Sequence, residues 1–371
     1  MADDEGPLHK LAGIRTEDGW EIVQLVQRKE YQTGGCFSVG YLVCHEDGRK
    51  GFLKALDFSS AAGDPDPARA LEALTASFNF ERDVLALCTR LSKVVLAISD
   101  GALHIPDAPL GRVLYLIFEL AEGDVRKFAK RPNEFEVIWS LRALHHVAVA
   151  LRQLHGAGIF HQDIKPSNVL VFKEGTLSKL ADLGRAHATG LPAPHDFLDL
   201  PGATHYAPPE QYYGHDWGDR RAARASADLY LLGSLLFFFF MGVMFTPAWF
   251  ANLRQEHYPR RLSPTDDGWT GKYEDVLPFL RDAFARASGE FAARVMALFS
   301  PLNLRAEGEE LISLLGYLVD PDPQKRGHPG TRANKHSDPF ALARFISALD
   351  RIANRSEWAF RKANGEKAAQ S

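Results

Sequence analysis

The chain has 371 residues, 46% hydrophobic and 24% charged, the balance of a globular protein long enough to bury a substantial core. Its formal charge of -4 gives no overall cationic field for nucleic acid. Three cysteines, Cys36, Cys44 and Cys88, without C-x-x-C spacing, exclude a disulfide framework and a thiolate zinc site and fit a reducing interior.

The acidic start, Met1-Ala2-Asp3-Asp4-Glu5, lacks the basic and apolar stretches of an export signal, so cytoplasmic residence is the expectation. Residues 20–27, 40–45 and 51–58 read as short strands separated by turns such as Glu46-Asp47-Gly48. Gly63-Asp64-Pro65-Asp66-Pro67 breaks the chain before helical spacing over 68–91. Two further strands are expected at 94–99 and 113–119.

Beyond Ala121-Glu122-Gly123-Asp124 the pattern turns helical over 134–155, which puts a lobe boundary near 119–124. Residues 184–209, rich in Gly, Pro and Ala, read as a surface loop. Helices are expected at 226–243, 273–287, 291–299, 308–318 and 338–354, with a frayed tail at 365–371. The apolar stretch 229–245 falls slightly short of the roughly 20 residues of a membrane span and reads as a buried helix.

The run His161-Gln162-Asp163-Ile164-Lys165-Pro166-Ser167-Asn168 puts a carboxylate, an ammonium and a carboxamide on one short loop, and Asp182-Leu183-Gly184 follows one hairpin later. These groups can aim a hydroxyl, neutralise a triphosphate and hold magnesium. On these residues the chain resembles a divergent, bacterial member of the eukaryotic-type (Hanks-type) serine/threonine protein kinases, over residues 20–330.

The resemblance implies an α+β, bilobal kinase-like fold with a small antiparallel-sheet N-lobe and a mostly helical C-lobe. Its divisions are an N-terminal extension (1–19), the N-lobe (20–118), hinge and C-lobe (119–330) and a C-terminal extension (331–371). It implies ATP and Mg2+ as cofactors. Asp163 would orient the acceptor hydroxyl and take its proton, Lys165 steady the moving phosphoryl group, and Asn168 and Asp182 bind magnesium. Lys54, in Gly51-Phe52-Leu53-Lys54, would hold the α and β phosphates, paired with Glu81 in preference to its rival Glu72. His161 would be structural.

Gly34, Gly35, Phe37 and Ser38 would line the phosphates, with Thr33 and Ser38 at two outer glycine positions. Phe118 falls at the gatekeeper position, before hinge residues Glu119, Leu120 and Ala121 whose backbone would read adenine; Leu170 would form the floor. The family's valine above the base is Gly40 here and its alanine before the lysine is Phe52. That exchange is expected to conserve the roof's volume, with Phe52 covering the base. Its competing reading is that Phe52 blocks the pocket.

Gln162 replaces the family's Arg and cannot pair with a phosphorylated loop, so the resemblance implies activity without loop phosphorylation, or a regulatory partner. Gly202 to Glu210 resembles the end of an activation segment, Glu210 pairing with Arg326 and Asp228 capping the catalytic loop. Ala203 stands for a threonine, removing a hydroxyl contact to Asp163 or Lys165. Arg220, Arg221 and Arg224 read as solvated, with attraction of an acidic substrate as the alternative. Thr189 and Thr204 are candidate autophosphorylation sites. The expected partners are a protein substrate and a regulatory protein, with neither nucleic acid nor membrane. A nucleotide-binding pseudokinase scaffold and a small-molecule kinase are the alternatives.

Overall fold

The computed structural model describes residues 6–26, 38–129, 134–216, 218–263 and 267–370. The stretch holding Thr33, Gly34, Gly35, Cys36 and Phe37 lies outside them.

Alternating apolar residues build the small lobe. Strands β1 (Trp20–Leu25), β2 (Ser38–His45), β3 (Lys50–Leu56), β4 (Ala97–His104) and β5 (Arg112–Glu119) form an antiparallel sheet in the order β1-β2-β3-β5-β4. Val39, Tyr41, Val43, Leu53 and Ala55 point to one face and are buried, which leaves Gly40, Phe52 and Lys54 on the other. The segment before β1 completes this small core: Leu8 and Leu11 are buried in it, and the Tyr41 hydroxyl donates to the Leu8 carbonyl at 2.6 Å.

The short α1 (Ser59–Ala62) precedes α2 (Pro67–Leu87), which starts where Asp66 accepts a hydrogen bond from the Arg69 amide and Pro67 fixes the first turn. Its face of Phe78, Phe80, Val84 and Leu85 joins the large core. The strand expected at 94–99 begins later, at Ala97. Val95 N donates to the Leu180 carbonyl at 2.8 Å, so this backbone is spent on tying the lobes together.

The chain crosses from sheet to helices between Glu119 and β6 (Gly123–Asp124). There follow α3 (Val125–Phe128), α4 (Glu134–Gly156), β7 (Ile159–Phe160), β8 (Val169–Phe172), β9 (Leu177–Leu180) and β10 (His187–Ala188). A three-stranded sheet β6-β8-β9 and the pair β10-β7 hold the loops between them. The rest is helical: α5 (Pro209–Tyr212), α6 (Arg220–Met241), α7 (Phe245–Phe250), α8 (Tyr273–Phe299), α9 (Arg305–Val319), α10 (Pro329–Arg332) and α11 (Ala343–Gln370).

Helix α6 is the axis of the large core. Among the described residues it is the one helix long and apolar enough to cross a membrane, but 78% of that window is buried inside the protein. Asp219 caps its start, and Gly242, left-handed at φ 77°, ends it. The two helices expected at 273–287 and 291–299 are one: Val276, Leu280, Ala283, Ala287, Phe291, Val295 and Phe299 continue a single buried stripe across Gly289. The last helix begins at Ala343 rather than 338 and runs to Gln370, through most of the expected frayed tail. Phe345, Leu349 and Ile352 bury its inner face, and Arg142 of α4 reaches its Asp350 at 2.8 Å. The architecture is the two-lobed α+β arrangement that the resemblance implies.

Candidate active site

The loop between β7 and β8 is held from beneath. Asp228, fully buried on α6, accepts from the amides of His161 (2.9 Å) and Gln162 (2.8 Å) and from the His155 ring (2.8 Å). These bonds offset a left-handed Gln162, φ 61°, a backbone state that costs about 1–3 kcal/mol for an L-residue. Both ring nitrogens of His161 are engaged by backbone, its Nδ1 accepting from the Asp163 amide (3.2 Å) and its Nε2 facing the Ala181 carbonyl (3.0 Å).

Both oxygens of Asp163 are aimed. Oδ2 accepts from Lys165 Nζ at 2.6 Å and Asn168 Nδ2 at 3.2 Å, and Oδ1 from the Ala203 amide at 2.7 Å. The contact expected to be lost with a threonine hydroxyl is thus supplied by backbone. It requires close approach: a Cβ on Gly202 would lie 2.2 Å from the Gln162 carbonyl. Asn168 Nδ2 also donates to the Asp163 carbonyl (2.9 Å), so its amide oxygen, which accepts from the Ser167 hydroxyl at 3.4 Å, is the end that could face a cation.

Lys54 donates to both Glu81 oxygens, at 2.9 and 2.8 Å, and lies 3.7 Å from Asp182. Glu81, not Glu72, meets the lysine, because it sits on the buried face of α2 while Glu72 is exposed. Burial works against the Lys54 charge, yet attraction to Glu81 and Asp182 outweighs it and raises its pKa above the ordinary lysine value. Burial raises Glu81, and Lys54 offsets only part of that. Asp182 goes the other way: burial is overcome by Lys54, Lys165 and His161, which hold its pKa down. An ionised Asp182, next in the chain to Ala181 whose amide donates to the Asn168 carbonyl at 2.8 Å, could hold a hard cation. Among the described residues no cluster of three or more His, Cys, Asp or Glu could hold a metal by itself.

Above this cleft, Phe52 and Gly40 interlock. A Cβ on Gly40 would fall 2.6 Å from Phe52 Cζ and 2.8 Å from Cε2, so the ring fills the space that a side chain at 40 would take. Phe118 pairs with Phe52 across β5 and β3. Glu119 faces back, its amide donating to Leu96 (3.1 Å) and its carboxylate accepting from Lys179 (2.6 Å). Ala121 and Leu170 are half-buried, and Ser38 opens β2.

Glu210 on α5 meets Arg326 through two bonds of 2.7 and 2.6 Å, both residues buried. Arg326 also donates to the Asp320 carbonyl (2.9 Å) and lies 4.8 Å over the Tyr230 ring. The arginines read as solvated are partly engaged: Arg221 lies over the Phe160 ring and Arg224 bonds Asp196 at 3.0 Å. Asp196 and its neighbour His195 went unnoticed in the sequence, where an aperiodic loop gives no signal for contacts with distant elements.

A sheet lobe over a helical lobe, with a lysine–glutamate pair and an aspartate–lysine–asparagine loop facing the cleft between them, defines a protein of the kinase class. A model of the protein kinase domain matches residues 81–336, and the chain belongs to that family. It is 33% identical over 124 residues to serine/threonine-protein kinase PknA of Mycobacterium tuberculosis, 33% of this chain and 27% of that one. Over 111 residues it is 34% identical to cell division control protein 2 homolog D of Antirrhinum majus, covering 26% and 36% of the two chains. Over 215 residues it is 26% identical to a probable serine/threonine-protein kinase PknB of Lactococcus lactis, covering 56% and 32%. The chain thus spans between 27% and 36% of these relatives' lengths.

Proposed function

We propose that this chain transfers the γ-phosphate of ATP, with magnesium, to serine or threonine hydroxyls of a protein substrate in the cytoplasm. The observation that carries the reading is Asp163, whose carboxylate is fixed by Lys165, Asn168 and the Ala203 amide. A scaffold that only bound nucleotide would not require that aim.

In this reading Lys54, steadied by Glu81, holds the α and β phosphates. Asp163 orients the acceptor hydroxyl and receives its proton as the new oxygen–phosphorus bond forms and the bond to the β-phosphate oxygen breaks, releasing ADP. Asp182 and the Asn168 amide oxygen would hold the metal, which supplies charge neutralisation at the phosphates. Magnesium suits a site with few protein ligands, since water and phosphate oxygens complete its shell. Lys165 stands beside the transferring group and stabilises its charge. Phe52 above and Leu170 below enclose the base, while the backbone at Glu119 and Ala121 reads its edge. Residues Lys165-Pro166-Ser167-Asn168 and the relatives' names support serine and threonine as acceptors.

Labelled ATP, magnesium and a mixed peptide library with Ser, Thr or Tyr acceptors test this. Label is expected on Ser and Thr peptides and not with Lys54→Met. Label on Tyr peptides would overturn the acceptor assignment; ATP binding without transfer would favour a pseudokinase.

A further inference from the structure

We propose that Asp196 is a positioning residue, its carboxylate latching the activation segment to α6 and β10 so that Gly202 and Ala203 stay seated on Asp163. This rests on the kinase reading above.

Three donors from three stretches of chain converge on this carboxylate. Oδ1 accepts from His187 of β10 (3.0 Å) and from Arg224 of α6 (3.0 Å), and Oδ2 from the Ala193 amide (3.2 Å). Arg224 works on two sides at once. Its guanidinium holds Asp196 while its carbonyl accepts from the Gln162 side chain at 2.9 Å. Gln162 also donates to Asp228 at 3.1 Å, so its amide is turned toward α6 and offers the segment no cation. The cation comes from Arg224 and the anion from the chain itself, so no added phosphate is needed to hold this stretch.

The neighbouring residue extends the latch to the other side of the cleft. His195 is buried, faces the Ala186 carbonyl at 2.9 Å, and sets its ring edge-on to Phe80 at 5.4 Å. Phe80 directly precedes Glu81. A shift at residues 195–196 therefore reaches Gln162 through Arg224 and Glu81 through Phe80.

Side-chain exposures of 33% for Asp196, 20% for Arg224 and 18% for His187 limit what these contacts add to global stability. Their loss should appear in local order and in catalysis. In the 371-residue chain carrying Asp196→Asn, amide exchange over residues 187–204 is expected to rise about tenfold while the melting temperature moves by less than about 2 °C. The turnover number falls roughly 10- to 100-fold, as for a misplaced catalytic geometry, with KM for ATP within about twofold. Asp196→Glu recovers most of the turnover. Arg224→Gln reproduces the loss, and the double variant is no slower than either single.

Unchanged exchange and turnover in Asp196→Asn would overturn the proposal. So would a turnover loss matched by loss of folded protein, or a Glu variant as slow as the Asn one. If the parent chain transfers no phosphate, the kinase reading fails, while the exchange measurement still decides the latch.

Discussion

Removing Glu210 strands a fully buried charge in the large lobe. Arg326 is fully buried and Glu210 4% exposed, so Glu210→Ala leaves a guanidinium with the Asp320 carbonyl, Ser226 and the Tyr230 face as its partners. Burial works against the Arg326 charge, but Glu210 overcomes this and raises its pKa, so the arginine stays charged. Breaking one side of such a pair costs about 3–5 kcal/mol. A chain of 371 residues has an unfolding entropy of about 0.8 kcal/mol/K at ~2.1 cal/mol/K per residue, so the melting temperature should fall by roughly 4–6 °C. Calorimetry on Glu210→Ala, Arg326→Met and Glu210→Leu/Arg326→Met reads this directly. The apolar double variant should melt closer to the parent than Glu210→Ala does, because no orphan charge remains. A shift below about 1 °C in Glu210→Ala, or a double variant worse than the sum of the singles, would refute the reasoning.

Gly40→Val drives a side chain into the Phe52 ring, 2.6 Å from the first added carbon, and should cost about 1–3 kcal/mol by overpacking. In a Phe52→Ala background the same change should be close to neutral in thermal unfolding and should restore binding of a fluorescent ATP analogue; strictly additive effects would exclude the interlock. Burial, then repulsion from Lys93, His145 and Arg142, brings His146 down to about 4 from its usual 6.5. Between those values the unfolded chain takes up a proton that the folded one refuses, so stability should decline as pH falls from 6.5 to 4. His146→Gln should flatten that part of a urea-denaturation series against pH, and an unchanged slope would contradict the assignment. Burial pushes the Cys88 thiol up to about 12, so iodoacetamide at pH 8 should label it after unfolding and leave it intact in the native protein. Rapid native labelling at Cys88 would show that α2 opens readily.

The candidate catalytic loop was legible because its chemistry is contiguous: Asp163, Lys165 and Asn168 fall within six residues. The partner of Lys54 was legible too, through the family pattern: Glu81 lies nearer the next strand and precedes Val84-Leu85, and α2 then buries it. The small lobe was harder. The family match begins only at Glu81, past the strands where Gly40 and Phe52 depart together. Their compensation depends on a diagonal contact between β2 and β3 that register alone sets. Long-range bonds were the least visible. The Asp196–Arg224 pair spans 28 residues with no periodic pattern between them, and the first residues of the expected fourth strand joined Leu180 rather than the sheet. The single helix α8 was hidden because Gly289, a poor helix former, lies between the two expected helices, and the buried stripe that overrides it is a tertiary feature.

The most direct test of the account is magnesium-dependent transfer of labelled γ-phosphate from ATP to a Ser/Thr peptide library by the parent chain and by Asp163→Asn, with ATP binding measured on both. The account predicts transfer by the parent, a loss of at least about 100-fold in Asp163→Asn, and ATP affinity unchanged within about threefold, because Lys54, Glu81 and Asp182 remain in place. Equal transfer by both proteins, or none by a parent that binds ATP with magnesium, would contradict it.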